Sequence, residues 1–357
     1  MADFARDSDT PAAAAAAPLA FPFDPPTPDG AVVELAPGIL WARMPMPMQL
    51  DHINVYLLRD DDGWYIVDTG LNTETSRALW EQIAATRLDG LPFKGLLCTH
   101  FHYDHAGLAD WLTRRFHIPL WMTHGEFYMM RALAVPLPEP EPDGLRLFHA
   151  RAGMPAERID AMIRGLRRDP FLPPQPESFQ RLRAGQTLRI GGRSWQVVVG
   201  EGHSPEHACL YCAADRILIA GDQLLPRITS NVLVSSIEPE GNPLQLWLES
   251  LDRLEKLAPD TLVLPSHEKV FTGLPARVVG LRDHHYTQFG LVLAALAEAD
   301  SATAFEVMGR LFPRRLSSVE EMMALGETVA HLSWLRYDGQ VVRVLDEDGV
   351  YRFSVAA

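Results

Sequence analysis

Three histidines and an aspartate crowd into six positions of the run Thr99-His100-Phe101-His102-Tyr103-Asp104-His105. Imidazole and carboxylate together are the donors that a borderline divalent cation such as Zn2+ prefers. The run follows the short apolar stretch 95–98, which reads as a buried strand, and precedes a helical pattern over 107–116. On such a strand-to-helix turn, His100 and His102 can point to one cation while Asp104 and His105 point to a neighbouring one. The chain's CxxC run, Cys209-Leu210-Tyr211-Cys212, is weaker, because Cys98 alone cannot complete a four-ligand zinc site and the pair lies inside a strand-like stretch. Two packed thiols are expected there. Three cysteines also make no disulfide framework, so a reducing, cytoplasmic setting is expected.

The elements that must carry these residues alternate between strand and helix. Runs 53–58 and 64–67 flank Asp60-Asp61-Asp62-Gly63 as a hairpin, 73–87 has helical period, and 120–122 is a further strand. Residues 135–180 interrupt the pattern with two proline clusters around a helical 156–168, which predicts an inserted helical cap. Strand patterns resume at 186–190, 195–199, 208–212 and 217–220, followed by a helix over 243–257 and a strand at 261–264. The remainder is mostly helical and ends in a small hairpin, 341–345 with 350–353. Residues 1–30 hold Ala12–Ala17 and six prolines within the first 28 positions; with acidic residues ahead of the alanines they read as a flexible tail and not an export signal.

Further polar residues stand at strand ends. They are Asp68 in Val67-Asp68-Thr69-Gly70, His203 in Gly202-His203-Ser204-Pro205-Glu206-His207, Asp222 after 217–220, and His267 in Pro265-Ser266-His267-Glu268. In this order the five motifs resemble those of the metallo-β-lactamase-fold hydrolase superfamily, over about residues 32–275. The resemblance implies an α/β fold, a four-layered αβ/βα sandwich over 31–275, with metals at the edge where strand ends converge. His100, His102 and His203 would hold one ion and Asp104, His105 and His267 a second, with Asp222 bridging. The implied cofactors are two divalent ions, zinc first, with iron or manganese served by the same donors. Asp104 and Asp68 are the implied catalytic carboxylates, Asp104 orienting the attacking hydroxide and Asp68 orienting the metal-binding groups, unless Asp68 merely closes a turn. His52, Tyr103, His207 and Arg131 are candidate substrate contacts; the alternatives are a packed aromatic for Tyr103, a support to the metal-binding groups or an ordinary hydrogen-bonded histidine for His207, and a solvated helix face for Arg131.

Residues 276–357 resemble the winged-helix-like C-terminal unit of one branch of this superfamily, which includes β-lactamase-like endoribonucleases. A nucleic-acid reader needs a basic face. This unit has 8 Lys or Arg against 11 Asp or Glu, and the whole chain carries a net charge of −14. It is therefore expected to pack on the core or form a homodimer contact, with no nucleic-acid or membrane partner. The function implied is a binuclear metal-dependent hydrolase attacking a small acyl substrate, a thioester as in the glyoxalase II branch or a lactone. A phosphodiesterase or endoribonuclease on the same site is the alternative.

Overall fold

The computed structural model describes residues 18–48, 50–168 and 174–357. A first sheet is built in chain order from β1 (Val32–Ala36), β2 (Ile39–Pro45), β3 (His52–Asp60), β4 (Gly63–Val67), β5 (Phe93–Leu97), β6 (Leu120–Met122) and β7 (Gln180–Arg181). The second contains β8 (Thr187–Ile190), β9 (Arg193–Gly200), β10 (His207–Cys212), β11 (Ile217–Gly221) and β12 (Leu262–Pro265), in the order β12-β11-β10-β9-β8.

The central strands are apolar on both faces because both faces are covered. Along β3, Tyr56 and Leu58 enter the layer between the sheets, where they meet Trp195, Leu210 and Ile219. Ile53, Val55 and Leu57 point outward into a second core with Trp80, Leu112 and Phe127. Those partners come from α1 (Glu74–Thr86), α3 (Ala109–Phe116) and α4 (His124–Leu133), with the short α2 (Tyr103–Ala106) between. The outer face of the second sheet is covered by α7 (Pro243–Glu255), α8 (Leu274–Ala299) and α10 (Ser318–Tyr337), whose Trp247, Val278 and Leu325 close a third core. Helix, sheet, sheet, helix is the four-layer order expected.

The insertion supplies α5 (Asp143–Arg151) and α6 (Ala156–Leu166); Ile159 and Met162 of α6 join the third core, and the helix packs on α10. α9 (Ala304–Leu311), α10 and the hairpin of β13 (Val341–Leu345) and β14 (Tyr351–Val355) complete the winged-helix-like unit. Thr303 with Glu306 and Ser317 with Glu320 form reciprocal caps that fix where α9 and α10 begin. Among the described residues no helix is long and apolar enough to cross a membrane.

The two cysteines of the CxxC run lie three residues apart on β10 and so face opposite sides of the sheet, Cys209 toward the helices and Cys212 toward the first sheet. Both are buried and free. Of the expected tail, residues 1–17 lie outside the described residues. Residues 18–30 lie against the body of the molecule: Ala20 exchanges two backbone hydrogen bonds with Thr272, and Leu19 and Phe23 pack on the cores.

Candidate metal centre

β4 and β5 run parallel in the first sheet and β11 and β12 run parallel in the second, so the polar residues that follow them gather at one edge. Asp68 follows β4, Thr99–His105 follows β5, Asp222 follows β11 and His267 comes two residues after β12, while His203 stands between β9 and β10. Gly107 makes the sharp α2–α3 connection possible: a Cβ there would sit 2.1 Å from Tyr103 O.

Seven side chains converge in two groups. His100, His102, His203 and Asp222 form one, and Asp104, His105 and His267 the other; within each, the donor atoms lie within 4.8 Å of one another. Asp222 faces both: its Oδ2 lies 3.5 Å from His203 Nε2 and 3.5 Å from His105 Nε2, and its Oδ1 lies 3.4 Å from His267 Nε2. Asp104 Oδ2 is 3.5 Å from His105 Nε2 and 3.4 Å from His267 Nε2.

The outer nitrogens of the rings are already engaged. His203 Nδ1 donates to Asn231 O at 2.7 Å, His267 Nδ1 to His52 O at 2.9 Å and His105 Nδ1 to Asp68 Oδ2 at 2.9 Å. Thr99 Oγ1 donates to Asp68 and can accept from His100 Nδ1 at 3.1 Å. Each of these tautomers, assigned from the acceptors, leaves a lone pair on Nε2. His100 Nε2 then faces His203 Nε2 at 3.2 Å, an opposition of lone pairs that a cation relieves. Among the described residues, His105 Nε2 and Asp222 Oδ1 have no hydrogen-bond partner, and both are buried. The donor types and these confronted atoms fit divalent cations.

The surroundings set charge in the same sense. Burial, then the neighbouring rings, holds His100 far below an ordinary histidine and His102 at about 3. Burial also opposes charge on His105 and His267, but Asp104 and Asp222 overcome it and raise both, His267 from 6.5 to about 10. Protons thus balance the carboxylates when no cation does. A raised folded-state pKa gives stability that is complete below pH 6.5 and lost as pH rises toward about 10. Chelator-stripped protein should therefore lose melting temperature over that window, and cation-loaded protein should not; equal pH profiles for the two forms would refute it.

Asp68 sits after β4 at φ 63°, almost fully buried, and its Oδ1 accepts Thr99 N at 2.7 Å. It touches His105 and Thr99, not the open side of the site, so it positions a donor ring. Asp68→Asn tolerates the left-handed backbone but turns an amide toward one of these donors. A ~10–100-fold loss of cation affinity is expected, read by competition with a chelator.

His52, a candidate substrate contact, lies beside the centre: its carbonyl accepts from His267 Nδ1 and its Nε2 accepts Glu268 N at 3.0 Å. Tyr103 opens α2, half-buried among the apolar residues of the outer core of the first sheet. His207 corrects its expectation as a substrate contact. It is fully buried under Gly221, and its Nε2 accepts Asp222 N at 3.1 Å, so it holds the backbone of residue 222 from beneath. Arg131 is likewise directed elsewhere: it lies over Phe127 and donates to Pro176 O at 3.0 Å, tying α4 to the insertion.

One residue escaped the sequence reading. Glu126 of α4 is fully buried; Oε2 accepts Phe101 N at 3.0 Å, and Oε1 accepts Ser204 Oγ at 2.6 Å and Glu206 N at 2.7 Å. Phe101 lies between His100 and His102, and Ser204 follows His203, so one carboxylate joins the two loops of the first donor group. Burial pushes it up to about 7 against the pull of its three donors. Its only sequence signal was an acidic residue amid Phe127, Met129 and Met130.

Residues 48–267 match the family model of the metallo-beta-lactamase superfamily, and residues 290–356 that of the metallo-beta-lactamase-like C-terminal domain. The crystal structure of a beta-lactamase domain protein from Burkholderia ambifaria is similar at a TM-score of 0.87 and 43% identity, over 95% of this chain and 98% of that one. A probable metallo-hydrolase of Bacillus subtilis (strain 168), YqjP, is 27% identical over 323 residues, 88% of this chain and 97% of its own. The atrochrysone carboxyl ACP thioesterase dmxR1 of Cryptosporiopsis sp. is 23% identical over 339 residues, 93% of this chain and 86% of its own.

Proposed function

The chain belongs to the metallo-β-lactamase superfamily, and we propose that it is a binuclear hydrolase of small acyl substrates, a thioester or a lactone. The observation that carries the binuclear reading is Asp222, whose carboxylate faces histidines of both donor groups. His100, His102 and His203 would hold one cation, Asp104, His105 and His267 the other, and Asp222 both. Bound there, divalent cations such as zinc bring the pKa of a water toward ~7 and polarise an acyl oxygen.

The chain's own residues do the rest. Burial opposes charge on Asp104, but His105 and His267 keep its carboxyl below the ordinary range, so it is an acceptor at working pH. Its Oδ2 is turned to both rings, and in this reading its carboxylate orients the attacking water. Asp68 and His52 fix the rings of His105 and His267, and His207 fixes the backbone of residue 222, so that the site does not reorganise as charge develops. The likeness to a thioesterase over 93% of the chain supports an acyl substrate. The net charge of −14 disfavours a polyanionic one.

The test is a panel of thioesters, lactones, phosphodiesters and RNA offered to cation-loaded protein. Turnover of a thioester or lactone above the phosphate esters is expected. Cleavage of RNA without acyl hydrolysis would overturn the substrate class.

A further inference from the structure

The segment 223–234 leaves the shared carboxylate and returns to a donor ring. Ser230 Oγ donates to Asp222 O, and Asn231 O accepts from His203 Nδ1 at 2.7 Å. Its other side is held from beyond the metal-binding region. Arg277, in the first turn of α8, donates through Nε to Leu225 O and through Nη2 to Ile228 O at 2.6 Å. Val234 N donates to Gly326 O of α10 at 3.1 Å. Leu224, Val232 and Val234 sink into the core that holds Val278 of α8 and Leu325 of α10. At Gly326 a Cβ would stand 3.0 Å from Leu233 Cβ and 3.0 Å from Val234 O, so the close approach uses the absence of a side chain.

We propose that the C-terminal helices set the placement of His203 and Asp222 through the 223–234 segment, with Arg277 as the positioning residue. A guanidinium presents its donors in a rigid fork and here spends them on two carbonyls three residues apart. That fixes the curvature of the segment between the shared carboxylate and the carbonyl that orients His203. The C-terminal unit then works as a support for the cation site, which gives its acidic surface no nucleic-acid task. The inference rests on the site holding cations and not on the identity of the acyl substrate.

The experiment loads full-length protein with Co2+ and reads both its visible spectrum and its affinity against a chelator. Arg277→Gln is expected to lower Co2+ affinity about tenfold or more and to change the bands. Arg277→Lys, able to serve one carbonyl, should fall between. Arg282→Gln is the control on the same helix, since Arg282 pairs with Asp252 and Glu255 and does not touch the segment; it should leave both readouts unchanged. Wild-type affinity and spectrum in Arg277→Gln would overturn the proposal. If that variant fails to fold, Gly326→Ala presses on the same segment from α10, and an unaltered spectrum there counts equally against it. Wild-type protein that takes up no Co2+ would defeat the metal-centre reading instead.

Discussion

Asp222→Ala is expected to lose cations from both donor groups and to lose hydrolysis with them. Asp222 presents Oδ2 to His203 and His105 and Oδ1 to His267, so its removal takes a donor from each group at once. It also takes away the charge that would separate two cations. Substitution of groups that only support a metal-binding residue typically costs ~10–100-fold in affinity, and loss of a shared direct donor should exceed the upper figure. The backbone should stay in place, because His207 holds the amide of residue 222 and not its side chain. Metal content after dialysis is the measurement, with Asp222→Asn as the companion variant of equal size and no charge. Two tightly held ions per chain in Asp222→Ala would remove the bridging assignment.

The second large effect is expected at Glu126. Its carboxylate takes three hydrogen bonds in a site closed to water, all from the two loops that carry His102 and His203. Glu126→Ala leaves Phe101 N, Ser204 Oγ and Glu206 N without their acceptor, a loss of roughly 3–5 kcal/mol for a buried charged network. Glu126→Gln keeps the shape, but any orientation of the amide sets its NH2 group against a donor, so a loss of about 2–3 kcal/mol is expected. Urea unfolding of the chelator-stripped variants measures this without interference from bound cations. In the loaded protein the effect should fall first on the group of His100, His102 and His203. A Glu126→Ala midpoint within error of wild type would show that the two loops hold each other without it.

Much of this site was legible in the chain because metal donors are few in kind and local in pattern. His100, His102, Asp104 and His105 share one turn, and Asp68, Asp222 and His267 each stand just past an apolar run that has to be a strand. The supporting residues were harder to see. His207 reads in the chain as a candidate substrate contact, and only its burial beneath Gly221 shows which way the ring points. Arg131 reads in the chain as a candidate substrate contact or part of a solvated helix face, yet the insertion returns to take its hydrogen bond at Pro176. Glu126 lies in an ordinary helical stretch, and its partners are 25, 78 and 80 residues away.

The sequence by itself determined the donor chemistry and the alternation of strands and helices, since both follow from residue type and short-range period. Tertiary structure alone decided which carboxylate serves which ring, that the C-terminal helices reach the segment beside Asp222, and that the two cysteines of one motif face opposite layers. Those outcomes depend on contacts between distant parts of the chain, which form only when the sheets stack and exclude water. Inside that dry layer an unpaired polar atom costs a few kcal/mol, so a buried donor such as Phe101 N pairs with an acceptor that the fold brings from far along the chain.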